Sequence, residues 1–159
     1  MMSKIYKKIL IATDGSEHVK KAVTYAIELA KLSGAELHAV YVISLVSPSI
    51  NLDIEADYDS KSYNSADITI EGLKRILKRE GDAAIKYIED LAKGEGLDVV
   101  KWIVEGLPAE EILKLAEEQS IDLIVMGTLG RSGIEKFLLG SVADKVIRGS
   151  GIPVLTVRN

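Results

Sequence analysis

Asp122 to Ser141 reads DLIVMGTLGRSGIEKFLLGS. Asp122 to Met126 is a short, continuous apolar run, the pattern of a strand buried on both faces. A glycine-rich stretch, Gly127 to Gly140, follows it. A short helix is then expected from Ser141 to about Gly149. Glycine lets a backbone approach a ligand closely and adopt positive φ. A turn of this kind aims several N–H groups at one anion. The first N–H groups of the helix opening at Gly140-Ser141 have no internal partners and sit at the positive end of its dipole. Strand, glycine loop and helix start, in that order, point to phosphate.

The same strand–helix rhythm extends in both directions. Lys7 to Thr13 (KKILIAT) is a second apolar strand, broken by Asp14-Gly15-Ser16. A helix is expected from about Glu17 to Ser33, with Val19, Val23, Ala26, Ile27 and Ala30 at helical spacing. Ser16 is placed to cap it and Gly34 to end it. Glu36 to Ile43 reads as a strand, and about Thr69 to Lys93 as a helix with Ile70, Leu73, Leu77, Ala84, Ile88 and Leu91 on one stripe. Gly81 inside that helix costs roughly 1 kcal/mol relative to alanine. Leu97 to Val104 is a strand closed by Glu105-Gly106. Pro108 suits the first turn of the next helix, with Glu110 and Glu111 at its positive end. Pro153 to Val157 (PVLTV) is the last strand. Ser44 to Asp67 is polar and acidic, with no clean period; a long loop of this kind is usually functional or mobile.

Strands alternating with helices predict an α/β fold, a parallel sheet with helices on both faces and right-handed crossovers. The 159 residues suit one domain, and no internal repeat or linker marks a second. Hydrophobic residues are 47% and charged residues 28%, an ordinary globular balance. No cysteine is present, which excludes disulfides, thiolate metal sites and a cysteine nucleophile. No apolar run reaches the ~20 residues of a membrane span, and the first residues lack a signal-peptide cleavage site. A cytoplasmic protein without membrane contact is the expectation. The net charge of −4 argues against broad attraction to nucleic acid. It leaves room for a phosphate ligand held by backbone amides and local cations.

Two familiar phosphate motifs are missing. The chain has no G-x-x-x-x-G-K-[ST], and no G-x-G-x-x-G after its first strand. What it has is G-x2-G-x9-G-S, spelled by Gly127, Gly130, Gly140 and Ser141. This resembles the ATP-binding signature of the universal stress protein family. The resemblance runs through KKILIATDGSEHVKKAVTYAIELA, VEGLPAEEILKLAEEQSIDLIVMGTLG and LLGSVADKVIRGSGIPVLTV. It implies one nucleotide-binding domain over 1–159, a three-layer sandwich with a five-stranded parallel sheet ordered 3-2-1-4-5. The winding then reverses between strands 1 and 4, where open sheets bind ligands.

By that resemblance Asp14 would bond the ribose, Val42 would present its backbone to adenine, and Ala12 and Thr13 would line the base pocket. Members of the family often carry proline where Ala12 stands. Gly127 would lie beside the ribose, and Gly130, Gly140, Ser141 and Val142 would contact the phosphates. Met126, at the strand end, completes the set with Arg131, which with Lys136 is placed to screen phosphate charge. Magnesium or manganese would accompany ATP. The last strand, Pro153 to Arg158, would pair across a two-fold axis to make a homodimer.

Each residue also has a plainer reading. Asp14-Gly15 is a standard turn signal. Ser141 and Asp144 could form a capping box. Arg131 and Lys136 could be simply solvated. His18 and His38 lack partners at metal-ligand spacing. Asp53, Glu55, Asp57 and Asp59 lack the glycine and final glutamate of a calcium loop.

Three functions compete: an ATP-dependent stress-response regulator acting on an unknown protein partner, a slow ATPase or phosphoryl-transfer enzyme, and an interaction module with an unused pocket. Phosphoryl transfer needs an activated nucleophile, metal ions and positioned positive charge. The loop holds no histidine and no P-loop lysine. The adenylating motifs H-x-G-H and S-G-G-x-D-S do not occur either. The expectation is binding, without efficient catalysis and without a catalytic residue to name. The complete glycine motif speaks against the third function.

Overall fold

Strand β1, Lys8–Thr13, lies at the centre of the molecule and pairs in parallel on both sides. The computed structural model describes residues 4–46, 69–129 and 139–159. One neighbour of β1 is β2, Glu36–Ile43, and the other is β4, Leu123–Gly127. β3, Val99–Glu105, extends the sheet beyond β2, and β5, Val154–Val157, extends it beyond β4. All four pairings are parallel, in the order β3-β2-β1-β4-β5. The predicted α/β fold with order 3-2-1-4-5 is thus the observed one.

The central strand explains why its sequence is a continuous apolar run. Ile9 and Ile11 point to one face and Leu10 and Ala12 to the other, and each face carries its own core. Ile9, Leu10 and Ile11 are all fully buried, each worth about 1.5–3 kcal/mol of apolar burial. Helices α1, Lys20–Ser33, and α2, Ile70–Gly94, cover the first face. Helices α3, Pro108–Glu118, and α4, Ser141–Gly149, cover the second.

Local signals act as expected at several ends. Gly34 closes α1 in the left-handed region at φ 64°. Thr69 caps α2 by accepting from the Gly72 N–H at 3.0 Å, and Pro108 opens α3 at its first turn.

Other expectations need correction. The helix expected from Glu17 starts as a separate 3-10 turn, Glu17–Val19, before α1. Ser16 precedes that turn but makes no side-chain cap bond. Gly140, not Ser141, occupies the cap position of α4, and its Asp144 carboxylate is bonded by Arg148 Nε at 2.9 and 3.1 Å. No capping box forms, because a serine inside the first turn cannot reach back as a cap does. Ile70 and Leu91, placed on the buried stripe of α2, are 67% and 40% exposed. Leu91 lies off the buried face, since Ile88 and Ala92 on either side of it are both 0% exposed. Asp53, Glu55, Asp57, Asp59 and most of Ser44 to Asp67 lie outside the described residues.

The buried polar groups of the sheet are paired. His38, 2% exposed, accepts at Nδ1 from the Trp102 indole N–H at 3.1 Å. An indole nitrogen only donates, so the imidazole proton sits on Nε2 and is given to the Glu36 carboxylate. His38 is therefore a structural histidine that ties β2 to β3.

Candidate functional site

The carboxyl ends of β1, β2 and β4 open on a cleft of about 890 Å³. It lies where the chain order reverses, with β2 and β3 wound to one side of β1 and β4 and β5 to the other. The loops after β1 and β4 must separate there, because one leads to α1 on the first face and the other to α4 on the second.

Nine of the residues singled out from the sequence line this cleft: Ala12, Thr13, Asp14, Val42, Met126, Gly127, Gly140, Ser141 and Val142. Gly130, Arg131 and Lys136 lie outside the described residues. Ala12, Val42 and Met126 share an apolar wall with Val40 and Ile112, on the α3–α4 face. Asp14 stands at the tip of β1. Its Oδ1 accepts from the Ser16 backbone N–H at 2.9 Å and from the Ser16 hydroxyl at 2.6 Å. Thr13 Oγ accepts from the Gly15 N–H at 3.1 Å. Gly15 sits at φ 77°, a region that L side chains rarely enter. The turn after β1 is thus locked by two side chains and one left-handed glycine.

The stem of the glycine loop is equally tied. Thr128 donates its N–H to the Val157 carbonyl of β5 at 3.2 Å, and its own carbonyl accepts from the Gly140 N–H. The loop therefore leaves β4 and returns to α4 through one closed neck. Among the described residues, the first N–H within α4 to find a carbonyl is that of Asp144, which bonds Gly140. The turn ahead of it, Ser141 to Ala143, forms part of the cleft wall and brings the positive end of the helix to it.

Residues that sequence reading passed over complete the cleft from the α2 side. Tyr41 is 3% exposed, and its hydroxyl lies 3.5 Å from Glu80 Oε2. Its ring lies so close to Gly81 that a Cβ there would come within 2.7 Å of Cδ1. Gly81 was legible only as a flaw in a helix; its role is to let α2 lie against Tyr41. Lys20 and Tyr87 also border the cleft, with the ammonium 5.3 Å from the ring centroid. The Glu17 carboxylate bonds Lys20 at 2.6 Å and holds its ammonium above the usual lysine range. Among the described residues no group of three or more histidine, cysteine, aspartate or glutamate side chains could hold a metal ion. No helix among them is long and apolar enough to cross a membrane.

A ligand cleft beyond the carboxyl ends of an open, doubly wound parallel sheet defines a broad class of α/β binding proteins. Comparison with known proteins narrows it. The model of the universal stress protein family matches residues 5–158, and the chain belongs to that family. Universal stress protein MJ0531 of Methanocaldococcus jannaschii is 41% identical over 154 residues, covering 97% of this chain and 83% of its own. Universal stress protein YxiE of Bacillus subtilis is 34% identical over 156 residues, covering 97% and 100%. The solved structure of MJ0577, also from Methanocaldococcus jannaschii, superposes with a TM-score of 0.77 at 32% identity, covering 98% of this chain and 97% of that one. A universal stress protein solved in complex with cAMP superposes with a TM-score of 0.68 at 29% identity, covering 97% and 98%.

Proposed function

We propose that this chain binds ATP in the cleft between the β1 turn and the glycine loop, and acts as a nucleotide-dependent regulator in stress response. One observation carries the reading. Asp14, from the start of the chain, and Gly127, Gly140 and Ser141, from its end, border the same cleft at the reversal of strand order. The cleft offers each part of the nucleotide a matching surface. Ala12, Val40, Val42, Ile112 and Met126 suit an adenine, the Asp14 carboxylate suits ribose hydroxyls, and the start of α4 suits phosphates. Its volume lies within the usual range for small-molecule sites, about 300–1,000 Å³. The related structure with cAMP bound supports an adenine nucleotide as ligand.

Magnesium or manganese would enter mainly on the phosphates, since such ions keep most of their ligands as water and phosphate oxygen. Assembly is the second half of the proposal. β5 is a sheet edge, and Pro153 to Arg158 is the segment expected to pair with a second copy in the cytoplasm. Leu155 packs against the core under α1, so replacing it would disturb the subunit as well as the interface.

Mass spectrometry of nucleotide released from the purified, unheated protein tests the function. ATP in the released fraction supports a binding regulator. Mostly ADP favours slow hydrolysis, and turnover near the enzyme median of ~10 s⁻¹ would replace the regulator with an enzyme. Absence of nucleotide, together with no heat of binding on titration with ATP and magnesium, would remove the proposal. Light scattering that finds a monomer at micromolar concentration would remove the dimer.

A further inference from the structure

We propose that Ser16 is a positioning residue for the ligand site, acting through Asp14. The inference rests on the reading of Asp14 as a ribose acceptor and deepens it. Ser16 stands at the cap position of the Glu17–Val19 turn, with φ −78° and ψ 163°. A serine there ordinarily accepts from an N–H of the turn that it opens. This one makes no such bond. Its hydroxyl instead donates to Asp14 Oδ1 at 2.6 Å, alongside the Ser16 N–H at 2.9 Å.

Two donors from one residue therefore converge on one carboxylate oxygen. The N–H contact survives any substitution except proline. The hydroxyl contact is the one that the side chain decides, and a short bond to an ionised acceptor is of the stronger kind. The terminal torsion of a carboxylate is broad and soft. The Ser16 hydroxyl adds to the restraint on it at the mouth of the cleft, where Asp14 and Ser16 both lie. The gain for a ligand is preorganisation: the acceptor is oriented before the sugar arrives.

The test is calorimetric titration of the full chain with ATP and with 2′-deoxy-ATP, using Ser16→Ala, Ser16→Thr, Asp14→Ala and the Asp14→Ala/Ser16→Ala pair. Ser16→Ala should weaken ATP binding about 3- to 10-fold, since the hydroxyl bond to the acceptor is lost. It should also shrink the preference for ATP over 2′-deoxy-ATP, and Ser16→Thr, which keeps the hydroxyl, should restore both. In the Asp14→Ala background, Ser16→Ala should change nothing further. A general loosening of the turn would weaken the two ligands equally, would persist in the double variant and would overturn the proposal, as would a direct contact from Ser16 to ligand. Weak binding by Asp14→Ala with normal binding by Ser16→Ala would remove the Ser16 role alone. Normal binding by Asp14→Ala would remove the ribose reading, and the Ser16 role with it.

Discussion

A side chain on Gly127 would meet the carbonyl oxygen of His18: a Cβ built there lies 3.1 Å from that oxygen and 3.7 Å from Val19 Cα. The last residue of β4 is therefore pressed against the backbone of the 3-10 turn that follows β1. Glycine at this position has a reason that does not involve any ligand. It lets two segments more than a hundred residues apart close one wall of the cleft.

Gly127→Ala should lower stability by about 1–3 kcal/mol, the ordinary cost of overpacking, because a carbonyl cannot swing aside as a flexible side chain does. Denaturant unfolding without nucleotide reads it. An unchanged midpoint would show that the turn yields freely, leaving ligand approach as the sole reason for the glycine.

Gly81→Ala sets two effects against each other. Alanine favours the helix by roughly 1 kcal/mol. Its Cβ would meet the Tyr41 ring at 2.7 to 3.2 Å. Gly81→Ala should therefore destabilise the protein, and the same change in a Tyr41→Leu background should be neutral or stabilising. The double-mutant cycle reads the coupling directly. Equal effects in both backgrounds would mean that the ring does not constrain the helix.

Trp102→Phe should cost about 1–3 kcal/mol, since it strands the His38 Nδ1 acceptor inside the molecule, in addition to lost packing. Removing both partners, Trp102→Phe with His38→Leu, should cost less than the sum of the two single changes. Unfolding midpoints of the three variants check this; strict additivity would mean that the indole–imidazole bond carries no energy.

Glu89 links α2 to β3 through Lys101 at 2.6 Å, and reaches Lys93 at 3.1 Å. The hydrogen bond from Lys101 and then that from Lys93 hold its carboxyl below the ordinary value of 4.5. A carboxyl lowered in the folded state stabilises it above the unfolded value, and that contribution disappears as pH falls through the lowered one. Glu89→Gln should therefore flatten the decline of stability below about pH 4.5. Added salt should shrink the difference, because the pair is partly exposed. An identical acid limb in the variant would show that the pair contributes nothing.

Much of the fold was legible because its signals are local. The apolar runs in β1 and β4, the left-handed Gly34 and the proline opening α3 each act within a few residues, and β2 and α4 have the bounds read from the sequence. Ser16 was misread as a cap although its partner is just as near in the chain, and the plainer reading of Ser141 as a cap is not the observed one. A serine before a helical turn is a cap by habit, but the hydroxyl goes to whichever acceptor the fold brings nearest. For Ser16 that is Asp14, and for α4 the cap position falls on Gly140.

By itself the sequence determined where strands and helices alternate, which runs are apolar enough to be buried on both faces, and that a glycine loop precedes a helix. These follow from side-chain period, backbone permissiveness and capping, all short-range properties. The strand order was available only through resemblance to a family, since pairing between distant strands leaves no mark at fixed spacing. That Asp14 and Ser141 share a cleft was likewise implied by the resemblance, while tertiary structure alone decided that Tyr41 fills the notch at Gly81 and that His18 crowds Gly127. Such contacts depend on how closely segments far apart in the chain approach, and steric room of a few tenths of an ångström is set only when every layer is packed.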